Sequence, residues 1–372
     1  MAKLAFVINN VDFLLSHRLP ILLAAQQRGY AVCVIAPNAE NDERLRKIGV
    51  SCHNITLSRG GNNPITDIRT VFQLVRIFKK IRPDIIHLVT IKPVLYGGLA
   101  ARLSHVPAVV AAVSGLGTVF LSEGIVSSIR RWFVAKLYRL AFAQKKIAVI
   151  FQNPDDKNLM LAFKALKESQ TRLVRGSGVD LKNYPFRAEN MHGNVVVMAA
   201  RLLRDKGVYE FVEAARILKS RGEIIEMRLI GAPDPCNPTS ITDTELQAWK
   251  TEDVVSLQGY RSDIAEQYSQ ANIICLPSYR EGLPKALVEA AACGRAVITT
   301  DVPGCRDAIE PSETGILVNV RDAVSLADAI QYLYEHPEER IKMGIAGRLL
   351  AERAFSIDKI VEQHLTIYQQ LH

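Results

Sequence analysis

The feature that most constrains this 372-residue chain is a rhythm of short apolar runs separated by stretches of helical periodicity. A first series lies at residues 4–8, 31–36, 85–89, 108–113 and 147–151. A second lies at 195–199, 227–230, 254–257, 272–276 and 296–299. Strands that alternate with helices form βαβ units, and βαβ units in series predict a doubly wound parallel sheet. Two series predict two such sheets, in keeping with about 150 residues per domain. The text changes at 172–185, and the polar RAENMHGN separates it from the second series. The expected domains are therefore 1–185 and 186–355, with a helix pattern at 356–372. Residues 67–81 read as one helix ended by Pro83. Its expected polar stripe is Arg69, Gln73, Arg76 and Lys80, and its expected apolar face Ile68, Val71, Phe72, Val75 and Phe78.

Charge is divided unevenly. Residues 1–185 hold 26 Lys and Arg against 11 Asp and Glu, whereas the remainder holds 20 against 27. A basic first half suits an anionic partner. No nucleic-acid motif and no basic stripe interleaved with aromatics is present, so an anionic membrane surface is preferred over nucleic acid. The six cysteines form no C-x-x-C pair and lie mostly in apolar runs, which suggests buried free thiols. The N-terminal apolar stretch is broken by Asp12, His17 and Arg18, against a signal peptide. No apolar run reaches the length of a membrane span.

Two motifs carry the chemistry. In SYREGLPKALVEAAACG a strand leads into Ser278, Tyr279, Arg280, Glu281 and Gly282, then Leu283 and Pro284 open a helix that contains Glu289. A proline is tolerated in a first helical turn, and the free N–H groups there suit an anion. Glu281 can meet a ligand at the strand's end and Glu289 can follow it along the helix. Glu289 is equally readable as a solvated helix residue. In AARLLRDKGV, Arg201 follows a strand and Lys206 precedes a helix, which sets two cations where an open sheet binds ligands. An arginine fork takes two phosphate oxygens and a lysine acts as a point charge.

The spacing Glu281-x7-Glu289 with its EGLPKALVEA context, together with RLLRDKG, resembles the retaining GT-B glycosyltransferases of family four. The resemblance covers nearly all of the second half and, more loosely, the first. It implies two Rossmann-like domains facing an interdomain cleft, with the terminal helix packed back on the first domain. It implies that Arg201 and Lys206 bind the donor's diphosphate and stabilise it as it leaves, that Glu281 orients the donor sugar, and that Glu289 takes the ribose hydroxyls. Gly282, Leu283 and Pro284 accompany them, and Tyr260 and Arg261 would meet the base. The displacement would be front-face, with the departing phosphate drawing the acceptor proton. Asp234 and Asp243 do not form the D-x-D pair of metal-holding transferases, and GAPDPCNPTSITD reads as an ordinary loop, so neither metal nor cofactor is expected.

The first half departs from the family. VDFLLSHRLP has Asp12, Phe13 and Leu14 where a Gly-Gly pair is usual, which turns attention to His17 and Arg18 as acceptor-binding groups, although a histidine packed at a helix start is an equal alternative. Ser114 stands where a histidine is usual, before Gly115, and the Gly115 and Gly117 pair could bring backbone close to a sugar. Lys92 follows a strand and could face an acceptor diphosphate. His87, within that strand, reads as core. The basic helix IVSSIRRWFVAKLYRLAF, near residues 126–142, places Ile129, Phe133, Leu137 and Leu140 on one face. It suits either a membrane interface or plain packing.

The expected activity is transfer of a hexose or N-acetylhexosamine from a UDP-sugar, with retention and without metal, to a polyprenyl-diphosphate-linked saccharide, similar to bacterial surface-glycan assembly. The expected place is the cytoplasmic face of the inner membrane. A GT-B-fold epimerase would consume no acceptor, and a non-catalytic scaffold would release no UDP.

Overall fold

The computed structural model describes residues 1–57, 64–116, 125–235 and 237–372, the side chains of residues 64 and 125–130 excepted. The chain forms two compact units, Met1–Ser177 with Asp358–His372, and Gly178–Ile357. The first holds a parallel seven-stranded sheet of β1 (Lys3–Val7), β2 (Ala31–Ala36), β3 (Ser51–Asn54), β4 (Ile85–Val89), β5 (Ala108–Val113), β6 (Ile147–Phe151) and β7 (Thr171–Leu173). Its order is β3-β2-β1-β4-β5-β6-β7. Its helices are α1 (Val11–His17), α2 (Leu19–Gln27), α3 (Glu43–Ile48), α4 (Pro64–Ile81), α5 (Gly98–Ser104), α6 (Ile125–Phe142) and α7 (Pro154–Ala162).

The second unit holds a parallel six-stranded sheet of β8 (Val195–Ala199), β9 (Glu226–Ile230), β10 (Ser256–Gly259), β11 (Ile273–Leu276), β12 (Ala296–Thr300) and β13 (Gly315–Val318). The order is β10-β9-β8-β11-β12-β13. Around it lie α8 (Val208–Ser220), α9 (Asp243–Glu252), α10 (Ile264–Gln270), α11 (Lys285–Ala292), α12 (Ala323–Glu335) and α13 (Pro337–Leu350). The chain ends in α14 (Ile357–Leu371), whose Ile360, Leu365, Ile367 and Tyr368 enter the first unit's core with α1 and α2. The opposite face of that sheet is covered by α4, α5 and α6 through Leu74, Phe78, Ala100, Ala101, Tyr138, Ala141 and Phe142.

The units divide at Ser177, earlier than the 185/186 boundary read from composition. Val179 N–H donates to Phe355 O at 2.8 Å and Ile357 N–H to Val179 O at 2.9 Å, so the outgoing and returning segments pair within the second unit. Residues 178–185 follow them, Tyr184 O accepting from Arg348 Nη1 at 2.9 Å. Glu189, in the polar stretch taken for a spacer, has its side chain buried. Its Oε1 accepts from Arg340 Nε at 2.6 Å and Asn272 Nδ2 at 2.8 Å.

Three strands escaped the apolar pattern. β3 is a polar edge strand, SCHN, while β7 and β13 are short. Residues 11–17, which lie between the first two apolar runs, are helical because the Asn10 side chain caps them, accepting from Asp12 N–H at 2.6 Å.

Helix α4 forms as expected but is turned. The core line runs through Thr70, Leu74 and Phe78, whereas Ile68 and Phe72, expected inside, are 58% and 60% exposed. Thr70 can point inward because its hydroxyl lies 2.5 Å from the Thr56 carbonyl and 2.9 Å from that of Thr66. In α6, Phe133 and Leu140 likewise face out and Tyr138 faces in; Ile129 lies outside the described side chains. Among the described residues, Cys33, Cys275, Cys293 and Cys305 are buried free thiols and Cys52 is half-buried.

Candidate functional site

In the second unit the strand order reverses between β8 and β11, and the crevice outside the carboxyl ends of such strands is where open α/β sheets bind ligands. Both motifs emerge there. After β8 the chain makes a tight turn through Arg204–Lys206 and reaches Gly207, the cap of α8. Gly207 has φ +78°, and a Cβ there would lie 2.1 Å from the Pro277 carbonyl oxygen. Only glycine lets the start of α8 come this close to the end of β11. The first turn of α8 leaves its N–H groups without helical acceptors, a favourable seat for an anion.

The two loops are tied together. The Asp205 carbonyl accepts from Tyr279 N–H at 2.9 Å, and the Ser278 hydroxyl lies 2.9 Å from that carbonyl and 2.8 Å from Glu281 Oε1. Lys206 Nζ donates to the same Glu281 oxygen, with both side chains largely buried. From the other side Glu281 N–H donates to Pro303 O at 3.1 Å, and Gly304, at φ +83°, leaves room for the Glu281 carbonyl. The thiol of nearby Cys305 is pushed up to about 12, by burial first and then by the Glu281 charge. It stays a neutral, inert group.

Arg201 does not join this pair. Its Nη1 reaches Asp234 Oδ2 at 2.7 Å. Asp234 belongs to the segment read as an ordinary loop, and that loop is wired to the cationic turn. Leu202 N–H donates to Ala232 O at 3.0 Å, Arg204 N–H to Thr239 O at 2.8 Å, and Asp234 N–H to the Ser240 hydroxyl oxygen at 2.9 Å. Leu283 is buried, and Pro284 caps α11 rather than lying within it. Glu289 is not a solvated helix residue. It is 7% exposed, its Oε1 is 3.1 Å from Lys285 Nζ, and it is hydrogen-bonded to Tyr184. Burial, then the Glu289 charge, pushes the Tyr184 phenol well above its ordinary range. Tyr260 is exposed after β10, and Arg261 forks onto Asp263 at 2.8 and 2.6 Å. Sequence reasoning gave Ser278 and Asp234 no part in the site; a serine three residues before Glu281 was the available signal.

In the first unit the sheet order reverses between β1 and β4. Thr90, directly after β4, holds φ +75°, a strained conformation for a β-branched residue. Lys92 Nζ lies 3.5 Å from Asp67 Oδ1. Ser114 and Gly115 follow β5, with Gly115 at φ +112° and no hydrogen-bond partner for the buried Ser114 hydroxyl among the described residues. Gly117 lies outside the described residues. His17 stacks on Phe13 at 4.1 Å and its Nδ1 is 2.8 Å from Ser16 Oγ.

Arg18 corrects the sequence-based expectation of an acceptor-binding group. It is 1% exposed, inside a cluster with His87, His364 and Tyr368, where His87 Nδ1 lies 2.6 Å from the Tyr368 hydroxyl. Helix α1 draws the chain inward at this point, so Arg18 faces core.

Residues 182–350 match the family model described as glycosyl transferases group 1, and residues 3–153 match that described as glycosyl transferase 4-like. The chain is 30% identical over 371 residues, 95% of each chain, to the N,N'-diacetylbacillosaminyl-diphospho-undecaprenol alpha-1,3-N-acetylgalactosaminyltransferase of Campylobacter jejuni. It is 25% identical, over 75% of this chain and 72% of the other, to the UDP-Gal:alpha-D-GlcNAc-diphosphoundecaprenol alpha-1,3-galactosyltransferase of Escherichia coli. Among solved structures, Anabaena HepE in complex with UDP and glucose superposes with a TM-score of 0.79 at 17% identity, covering 100% of both chains. Sucrose-phosphate synthase from Thermosynechococcus elongatus gives 0.81 at 22% identity, covering 100% of this chain and 99% of that one.

Proposed function

The chain belongs to the group 1 and 4-like glycosyl transferases, with the GT-B fold, and from that premise we propose that it transfers a hexose or N-acetylhexosamine from UDP-sugar to a polyprenyl-diphosphate-linked saccharide. The observation that carries this proposal is the Lys206 and Glu281 pair at the β8 and β11 strand ends, beside the first turn of α8. A cation and a helix N-terminus supply what a leaving diphosphate needs, and the carboxylate is a hydrogen-bond acceptor for sugar hydroxyls. The donor class is supported by the name of the Escherichia coli relative and by the UDP bound to HepE; the acceptor class is supported by the names of both relatives.

In this proposal Lys206 and the α8 first turn neutralise the diphosphate as the anomeric C–O bond breaks. Arg201, which is more than half exposed and held by Asp234, swings its fork to the same phosphates. Glu281, fixed by Ser278 and Lys206, orients the sugar. Glu289 takes ribose hydroxyls, and Tyr260 and Arg261 border the base. Ser114 and Gly115 approach the sugar, while His17 and Lys92 hold the acceptor diphosphate. The anomeric configuration is retained because the acceptor attacks on the face the phosphate leaves, the phosphate oxygen taking the acceptor proton. Neither metal nor cofactor takes part. The enzyme works at the cytoplasmic face of the inner membrane, as a lipid-linked acceptor requires; no helix among the described residues is long and apolar enough to cross a membrane.

The test is nucleotide release from UDP- and GDP-sugars, with and without a lipid-diphosphate-linked saccharide. Acceptor-dependent UDP release, with a product of retained configuration, supports the proposal. Isomerised sugar without acceptor, or binding without release, removes it.

A further inference from the structure

The outward turn of α4 leaves an unusual surface. Its exposed positions are Ile65, Ile68, Arg69, Phe72, Arg76, Lys79 and Lys80, spaced three and four apart and therefore on one helical face. Three large apolar side chains occupy the N-terminal half, with Ile65 78% exposed, and three of the four cations occupy the other half. Helix α5 packs beside α4 and α6 packs beside α5, all over one side of the sheet. Their outer surfaces continue the same chemistry. Leu103 and Arg102 are exposed on α5, and Trp132, Phe133, Lys136, Arg139 and Leu140 on α6, with Lys136 Nζ 3.9 Å over the Trp132 ring. The three helices contain a single acid, Asp67, which is half-buried and already faces Lys92.

We infer that this outer face of α4, continued onto α6, seats the protein on an anionic lipid bilayer, with Ile65, Ile68 and Phe72 entering the acyl boundary and the flanking cations meeting lipid phosphates. The inference rests on the lipid-linked acceptor proposed above and names the surface that brings the enzyme to it. Charge selects the occupant. A second copy of the chain docked on the same face would bury Arg76, Lys79 and Lys80 without acidic partners, because the exposed positions of α4 include no acid. A nucleic-acid backbone would satisfy the cations but strand the exposed isoleucines and phenylalanine in water. A bilayer interface takes both, since it pairs an apolar depth with an anionic surface, and each cation near that surface adds to the attraction.

Co-sedimentation of the full chain with vesicles of phosphatidylglycerol and phosphatidylcholine in equal parts tests this. The parent should bind these vesicles about tenfold or more tightly than phosphatidylcholine alone, and less tightly in high salt. Both Ile68→Glu/Phe72→Glu and Arg76→Glu/Lys79→Glu/Lys80→Glu should lose about tenfold or more of that binding. Circular dichroism and turnover on a water-soluble, short-chain lipid-diphosphate acceptor should stay at parent values, because these side chains lie outside the proposed donor and acceptor sites. A parent that ignores anionic vesicles, or variants that bind like the parent, overturns the inference. So does a parent dimer that the α4 variants dissociate without any vesicle binding. Failure of the parent to turn over the short-chain acceptor would strike the acceptor proposal instead, and leave the vesicle result standing.

Discussion

Lys206 donates a hydrogen bond to Glu281 across 75 residues of sequence, joining the turn after β8 to the loop after β11. The two strands are neighbours at the reversal of the sheet order, so a contact remote in sequence costs the fold no special excursion. Ser278 and the Asp205 carbonyl lock the same two loops.

Breaking the pair separates function from stability. Lys206→Ala and Glu281→Gln should each lower kcat by about 10²-fold or more, the order seen when one charge-stabilising group is lost. The alanine variant also leaves a largely buried carboxylate without its partner, costing about 1–3 kcal/mol in urea unfolding. Lys206→Met/Glu281→Leu should recover most of that stability and none of the activity. Arg201→Ala should cost less stability, since its side chain is mostly exposed, but should still lower turnover.

Glycine substitutions test the close approach of α8 to β11. Gly207→Ala meets the Pro277 carbonyl at 2.1 Å as well as a left-handed backbone, whereas Gly222→Ala has φ +82° and nothing within 4 Å. The control should cost about 1 kcal/mol. Gly207→Ala should cost clearly more and also depress kcat, because the α8 terminus must retreat from the site.

Stability should fall in acid through the first unit. Burial, then the Arg18 charge, lowers His364 to about 3, and burial with His364 and Arg18 holds His87 well below its ordinary 6.5. Tyr368 and Phe6 complete their surroundings. Both histidines are neutral when folded and take protons when unfolded, so their contribution is full above pH 6.5 and declines as pH falls toward the folded values. Urea unfolding between pH 6.5 and 4.5 should show this loss. His364→Leu should flatten it by up to about 1.4 kcal/mol per pH unit.

The buried Arg340 and Glu189 pair predicts a large single-site effect. Both side chains are almost wholly buried, and Arg340 also donates to Leu333 O at 2.9 Å and Met191 O at 3.0 Å. Glu189→Ala should cost about 3–5 kcal/mol in urea unfolding, because it leaves a guanidinium uncompensated inside the second unit.

How far the sequence spoke depended on whether the information was local. Glu281, Lys206 and the strands that carry them were legible because apolar runs and short motifs sit within a few residues. Asp234 was not, since an aspartate in a Pro-rich loop acquires meaning only when that loop folds back on residues 201–206. The face of α4 was misread for a physical reason. Apolar residues occupy more than half its circumference, and a hydrogen-bonded Thr70, not another apolar side chain, marks the inner line. Arg18 reads as surface because arginine normally is, and its interior position follows from α1 and α14 packing over β1 and β4. β3 and β7 lacked the signal altogether, edge strands having little need of an apolar run.

The most direct measurement is acceptor-dependent UDP release by the parent and by Lys206→Ala, with lipid-diphosphate-linked saccharide present and EDTA added. The account predicts rapid release by the parent, unaffected by EDTA and absent without acceptor, and a fall of about 10²-fold or more in the folded variant. Equal release by the two proteins, or no consumption of any nucleotide sugar by the parent, would contradict it.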